Sequence, residues 1–119
     1  MKRILIVDDE IVLTEIIATS LKLEGYDVIC VPTGEEAIEM VKSENFDIIL
    51  LDIRLPKPGL DGIETLSIIR EFNKDIKVIV ISGLDKTDDR VNQIEKLNIY
   101  KFLPKPLNLS FLKEILREI

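Results

Sequence analysis

Two short apolar runs in this 119-residue chain end in acid: Ile4-Leu5-Ile6-Val7 runs into Asp8, Asp9 and Glu10, and Ile48-Ile49-Leu50-Leu51 runs into Asp52. Both runs are uninterrupted and rich in branched residues, as strands covered on both faces of a parallel sheet are. Parallel neighbours share a C-terminal edge, so acids that close two such strands meet there. Carboxylates at about 5 Å and an effective dielectric of about 20 repel by roughly 3 kcal/mol per pair. A hard divalent cation with oxygen ligands offsets that repulsion, so the spacing points to a cation site.

The elements that must position these acids alternate. Glu10 to Leu23 carries Ile11, Ile16, Ile17, Leu21 and Leu23 at helical spacing and stops at Gly25. Val28 to Val31 reads as a second strand, and Thr33 with Glu36 is a capping box opening a helix through Ala37, Ile38 and Val41. A third strand, Phe46 to Leu51, leads into the loop Leu55-Pro56-Lys57-Pro58-Gly59. Asp61 with Glu64 caps a helix bearing Ile63, Leu66, Ile69 and Phe72. Val78 to Ile81 is a fourth strand ending at Ser82, followed by a polar helix from about Lys86 to Leu97, a strand from Tyr100 to Leu103 and a helix from about Leu109 to Glu118. Five strand–helix alternations predict an α/β fold with a parallel sheet, helices on both faces and right-handed crossovers. Ligands in such folds bind at the C-terminal strand ends, by the topological switch point. Asp8, Asp9, Asp52, Ser82 and Lys105 all fall at or just beyond those ends.

Each of these residues has an ordinary reading too. Asp8 or Asp9 can cap the first helix, Ser82 can be a turn residue and Lys105 a solvated charge. Three carboxylates, a hydroxyl and an ammonium on one sheet edge favour a chemical site over independent structural roles. The length suits one domain with a real core. A formal net charge of −6 without a basic stripe argues against direct nucleic-acid binding. No run approaches a membrane span, and the N-terminus does not read as a signal peptide. With no histidine, any phosphohistidine must come from a partner. The single cysteine, Cys30, fits a cytoplasmic location and reads as inert core packing.

The motifs Ile6-Val7-Asp8-Asp9-Glu10, Leu51-Asp52-Ile53-Arg54-Leu55-Pro56, Asp61-Gly62, Ile81-Ser82-Gly83 and Phe102-Leu103-Pro104-Lys105-Pro106 follow one another along the chain. In order and spacing they resemble the receiver domains of two-component response regulators, and the resemblance makes residues 1–119 one receiver domain. It implies a flavodoxin-like, doubly wound sheet of order 2-1-3-4-5 with five helices. It implies that Asp52 accepts a phosphoryl group, that Asp9 and Asp52 ligate Mg²⁺ directly, that Asp8 acts through a bound water, and that Arg54 adds its backbone carbonyl. Lys105 would help neutralise the phosphoryl oxygens in an in-line transfer. Ser82 would donate to a phosphoryl oxygen after the following loop moves inward, and Phe102 would turn inward with it, altering the face of the fourth helix, fifth strand and fifth helix. A cis peptide at Lys105-Pro106 is implied as well. The expected activity is a signalling switch rather than an enzyme. Its partners would be a histidine kinase or histidine phosphotransfer protein upstream and a protein target or output domain downstream, and a phosphorylation-dependent dimer is allowed.

The chain departs from the family in three places. Lys57-Pro58-Gly59-Leu60 fills a gap usually taken by two residues, which puts the loop's shape and partner contacts in question. Asn98-Ile99 stands where Gly-Ala is usual; Asn tolerates the left-handed conformation. Arg54 and Leu84, two residues beyond the acceptor and the hydroxyl, are expected to hinder water and prolong the phospho-form. The last helix lacks the basic, linker-leading character of the winged-helix regulators, which favours a stand-alone protein or another output over a trimmed receiver of that type. Competing readings are a degenerate interaction module, a small Mg²⁺-dependent phosphatase, and a flavin or nucleotide module. The phosphatase pattern wants a second Asp where Glu10 stands, and the flavin and nucleotide pattern wants a phosphate-cradling loop where the acids stand.

Overall fold

Between their end residues the strands carry almost no polar side chain, which is why both faces of the sheet can be covered. Among the described residues, which are all but Lys86, β1 (Arg3–Val7), α1 (Ile11–Leu23), β2 (Asp27–Val31), α2 (Gly34–Ser43), β3 (Ile48–Asp52), α3 (Gly62–Phe72), β4 (Lys77–Ser82), α4 (Asp89–Glu95), β5 (Lys101–Pro104) and α5 (Leu109–Arg117) alternate. The computed structural model pairs the strands in parallel in the order β2-β1-β3-β4-β5, the doubly wound order expected. The order reverses between β1 and β3.

Alternate residues of the same strands build two cores. Leu5, Val7, Ile49, Leu51, Val78 and Val80 pack with Ala37, Leu66 and Ile94 on the α2–α3–α4 side. Ile4, Ile6, Ile48, Leu50, Ile79 and Ile81 pack with Ile17, Leu21, Leu112 and Ile115 on the α1–α5 side. Each such side chain, once buried, contributes about 1.5–3 kcal/mol. The resulting rigid slab holds the strand ends level: Val7 pairs with Leu51, Asp52 with Ile81 and Ser82 with Pro104.

Local signals held to different degrees. Asp61 and Glu64 form a complete capping box, whereas Thr33 takes the Glu36 N–H but the Glu36 side chain returns only to the Thr33 hydroxyl. Neither Asp8 nor Asp9 caps α1; its N-cap is Glu10, without a side-chain cap. The fourth helix is shorter than expected, beginning at Asp89 with Asp88 as its cap, and the expected start at Lys86 lies outside the described residues. In α1 the sheet buries Thr14, Ile17, Ala18 and Leu21, leaving Ile11, Ile16 and Leu23 exposed, so the apolar stripe is wider than the face the sheet covers. Cys30 is a correction as well: it sits exposed on β2, an edge strand, with its thiol 3.9 Å from the Thr14 carbonyl. An edge strand has a neighbour on one side only, so its side chains are less fully covered.

Candidate functional site

β1 and β3 deliver their acids to the switch point. Asp52 is the last residue of β3 and 3% exposed; Asp8 follows β1 and is 9% exposed. Both oxygens of Asp52 are engaged: Oδ1 accepts the Arg54 backbone N–H at 3.0 Å, and Oδ2 accepts from Lys105 Nζ at 3.1 Å. Asp8 Oδ1 accepts the Glu10 N–H at 2.9 Å across the turn from strand into helix. Lys105 arrives on the segment after β5, pinned by its own N–H on the Ser82 carbonyl at 3.0 Å. Its peptide to Pro106 is cis, as expected, and Lys57-Pro58 is cis too.

Carboxylate oxygens of Asp8, Glu10 and Asp52 lie within 4.8 Å of one another. Asp9, expected as a direct ligand, is exposed and outside that group, and Glu10, which had no expected role, lies within it. Burial pushes the Asp8 carboxyl above its usual range, against the Glu10 N–H and with the repulsion of Asp52. Burial works to lower the Lys105 ammonium, but the hydrogen bond to Asp52 and the charges of Asp52, Asp8 and Glu10 together raise it. One ammonium faces three carboxylates, so the donor set is all hard oxygen with surplus negative charge. It fits a divalent cation such as Mg²⁺.

The remaining expected residues stand further back. Ser82 is 1% exposed, and its hydroxyl oxygen accepts the Leu84 N–H at 3.0 Å. Phe102 is half-buried on β5 against the α2–α3–α4 core. The Arg54 side chain is exposed, and Leu84 is 7% exposed within that same core. The longer loop is braced away from the acids: the Leu60 N–H meets the Glu35 carboxylate at 3.3 Å, and Lys57 Nζ meets Glu64 at 2.8 Å. Gly62 had been noted as part of a motif without a role. A Cβ there would lie 2.4 Å from Ile53 Cα and 2.6 Å from the Asp52 carbonyl oxygen, so only glycine lets α3 begin against the acceptor strand. Beside the acids a cleft of about 630 Å³ opens between α1 and the segment after β5, lined by Leu13, Ile16, Ile17, Leu107 and Leu109.

The model of the response regulator receiver domain matches residues 4–117. The chain belongs to the receiver family. Among curated relatives, this receiver is 40% identical to the transcriptional regulatory protein CpxR homolog of Haemophilus influenzae, over 98% of this chain and 51% of that protein. It is 36% identical to the alkaline phosphatase synthesis transcriptional regulatory protein PhoP of Bacillus subtilis, over 90% of this chain and 43% of that protein. The receiver therefore spans about half the length of the curated relatives it matches. Among solved structures it superposes on a CheY-like receiver domain protein of Methanospirillum hungatei with a TM-score of 0.90 at 30% identity, covering 99% of this chain and 92% of that one. It also superposes on the response regulator TrrA of Thermotoga maritima, solved with Mg²⁺ and BeF, with a TM-score of 0.83 at 32% identity, covering 99% and 98%. Receivers are phosphorylation-dependent signalling switches, not classical enzymes, and generally use Mg²⁺ at an acidic pocket. Among the described residues no helix is long and apolar enough to cross a membrane.

Proposed function

We propose that Asp52 of this receiver, which forms a single domain over residues 1–119, accepts a phosphoryl group from a phosphohistidine of a partner kinase or phosphotransfer protein in the cytoplasm. The observation that carries this is the buried Asp52 carboxylate at the switch point, held by Lys105 on one oxygen and a backbone N–H on the other, with Asp8 and Glu10 beside it. A carboxylate oxygen of Asp52 attacks phosphorus, the bond from phosphorus to the partner's imidazole nitrogen breaks, and the histidine leaves. Asp8, Asp9, Asp52 and the Arg54 carbonyl would hold Mg²⁺, which supplies charge neutralisation to the transferring group. Lys105 is placed to follow its hydrogen bond from Asp52 to a phosphoryl oxygen.

The Ser82 O–H then donates to a second phosphoryl oxygen, drawing the β4–α4 segment inward, and Phe102 turns inward with it. One added group carrying nearly two negative charges thereby alters the α4–β5–α5 face and its affinity for a target, an output domain or a second copy. The exposed apolar residues Ile11, Val12 and Ile16 of α1, which line one surface with Glu10, support a protein donor. The transcriptional regulators among the relatives support an output in transcription through a downstream module, the receiver itself being too acidic to bind nucleic acid. The test is incubation with acetyl phosphate with and without Mg²⁺, read by intact mass, on the native chain and on Asp52→Asn. One adduct that requires Mg²⁺ and Asp52 supports the reading; no adduct under any condition leaves a receiver-shaped interaction module instead.

A further inference from the structure

Lys105 has two anions, not one. Its Nζ lies 3.1 Å from Asp52 Oδ2 on the buried side and 3.7 Å from Glu10 Oε1 on the outer side. Asp52 is 3% exposed, and its other oxygen is taken by the Arg54 N–H, so the ammonium occupies the oxygen left for chemistry. A cation approaching that oxygen meets the charge of the ammonium already on it. The Glu10 side chain is 58% exposed at the mouth of the site and lies where a departing ammonium is received.

We propose that Glu10 is a positioning residue of this receiver, a counter-ion that draws Lys105 off Asp52 and so opens the acceptor to the cation. Resting on the phosphoacceptor reading above, this goes beyond it in giving work to the third acid after β1. Without Glu10 the ammonium has a single anionic partner and stays on Asp52, in competition with a divalent cation. Glu10 thus acts on cation affinity through Lys105, not chiefly as a ligand. This separates it from Asp8, whose carboxylate makes no contact with the ammonium among the ion pairs of the described residues.

The test is equilibrium Mg²⁺ binding by titration calorimetry on the full, unphosphorylated chain, so it does not depend on phosphoryl transfer. Glu10→Gln is expected to weaken Mg²⁺ about 5- to 10-fold, the scale of one ion pair in a partly solvated site. In a Lys105→Met background, where there is no ammonium to move, the same substitution is expected to change affinity less than about 2-fold; this double-mutant cycle isolates the coupling. Glu10→Asp, which keeps the charge but shortens the reach to Lys105, is expected to resemble Glu10→Gln. An equal loss in both backgrounds, or native affinity in Glu10→Asp, makes Glu10 a ligand or a field effect and overturns the proposal, as does an unchanged affinity in Glu10→Gln. A folded native chain that binds no Mg²⁺ removes the cation site itself, and this role with it. Circular dichroism establishes folding for each variant, and Lys105→Gln replaces Lys105→Met if the latter does not fold.

Discussion

Asp52 and Ser82 end neighbouring strands and are almost equally buried, yet they are prepared to different degrees. Asp52 already faces Lys105 and the other acids, its oxygens held at 3.0 and 3.1 Å. Ser82 meets its own chain instead, its oxygen accepting the Leu84 N–H. The Asp52–Lys105 half of the site is already in contact in the resting chain, and the Ser82 half has to rearrange. A switch needs both: a preassembled half keeps the acceptor and its ammonium together at the place of reaction, and a half with an alternative local contact gives the phosphoryl group something to change.

The comparison can be broken by removing a group from each half. Lys105→Met should slow phosphorylation by acetyl phosphate by about 10²- to 10³-fold, the usual effect of losing one preorganised electrostatic donor, as rates read by intact mass at saturating Mg²⁺ would establish. Gly62→Ala drives a methyl into the Ile53 and Asp52 backbone, and should cost about 2–3 kcal/mol in chemical denaturation while weakening Mg²⁺ binding by displacing β3's end. Ser82→Ala leaves a buried N–H on Leu84 without its acceptor, a loss of about 1–2 kcal/mol. It should still take the phosphoryl group within about 10-fold of the native rate, but phosphorylation should no longer shift the amide resonances of Gly83 to Asp85. Equal phosphorylation defects in Lys105→Met and Ser82→Ala would erase the distinction between the halves. The smallest effect sharpens it: Asp8→Asn relieves one buried repulsion and should raise stability without Mg²⁺ by about 1 kcal/mol, while reducing the added stability that Mg²⁺ brings in thermal melts.

Much of this was legible in the residues. The apolar runs marked the strands because a parallel sheet leaves no face for polar side chains, and the acids marked where the strands stop. The complete Asp61–Glu64 box was readable for a similar reason, since it lies within four consecutive residues. Where the reading failed, the deciding neighbour lay elsewhere in the chain. Ile11, Ile16 and Leu23 follow a helical period, but the width of the sheet decides how much of that period is covered. Cys30 continues an apolar strand, but the strand is at the edge. Leu84 follows Ser82 closely, yet it is buried in the core on the α2–α3–α4 side, while Arg54, at the matching offset from Asp52, is exposed.

Run length, branched side chains and the position of the first polar residue determined the strands and which acids reach their edge, because these depend on contacts every residue of a buried strand must make. Which of three consecutive acids turns inward was decided only by the tertiary structure. At the junction after β1 the Asp8 carboxylate takes the Glu10 N–H, and that local turn, set against β3 and the Lys105 segment, brings Glu10 to the ammonium and leaves Asp9 outside. Side-chain direction at a strand-to-helix turn follows backbone dihedrals and the charges across from it, and those charges belong to residues more than forty positions away.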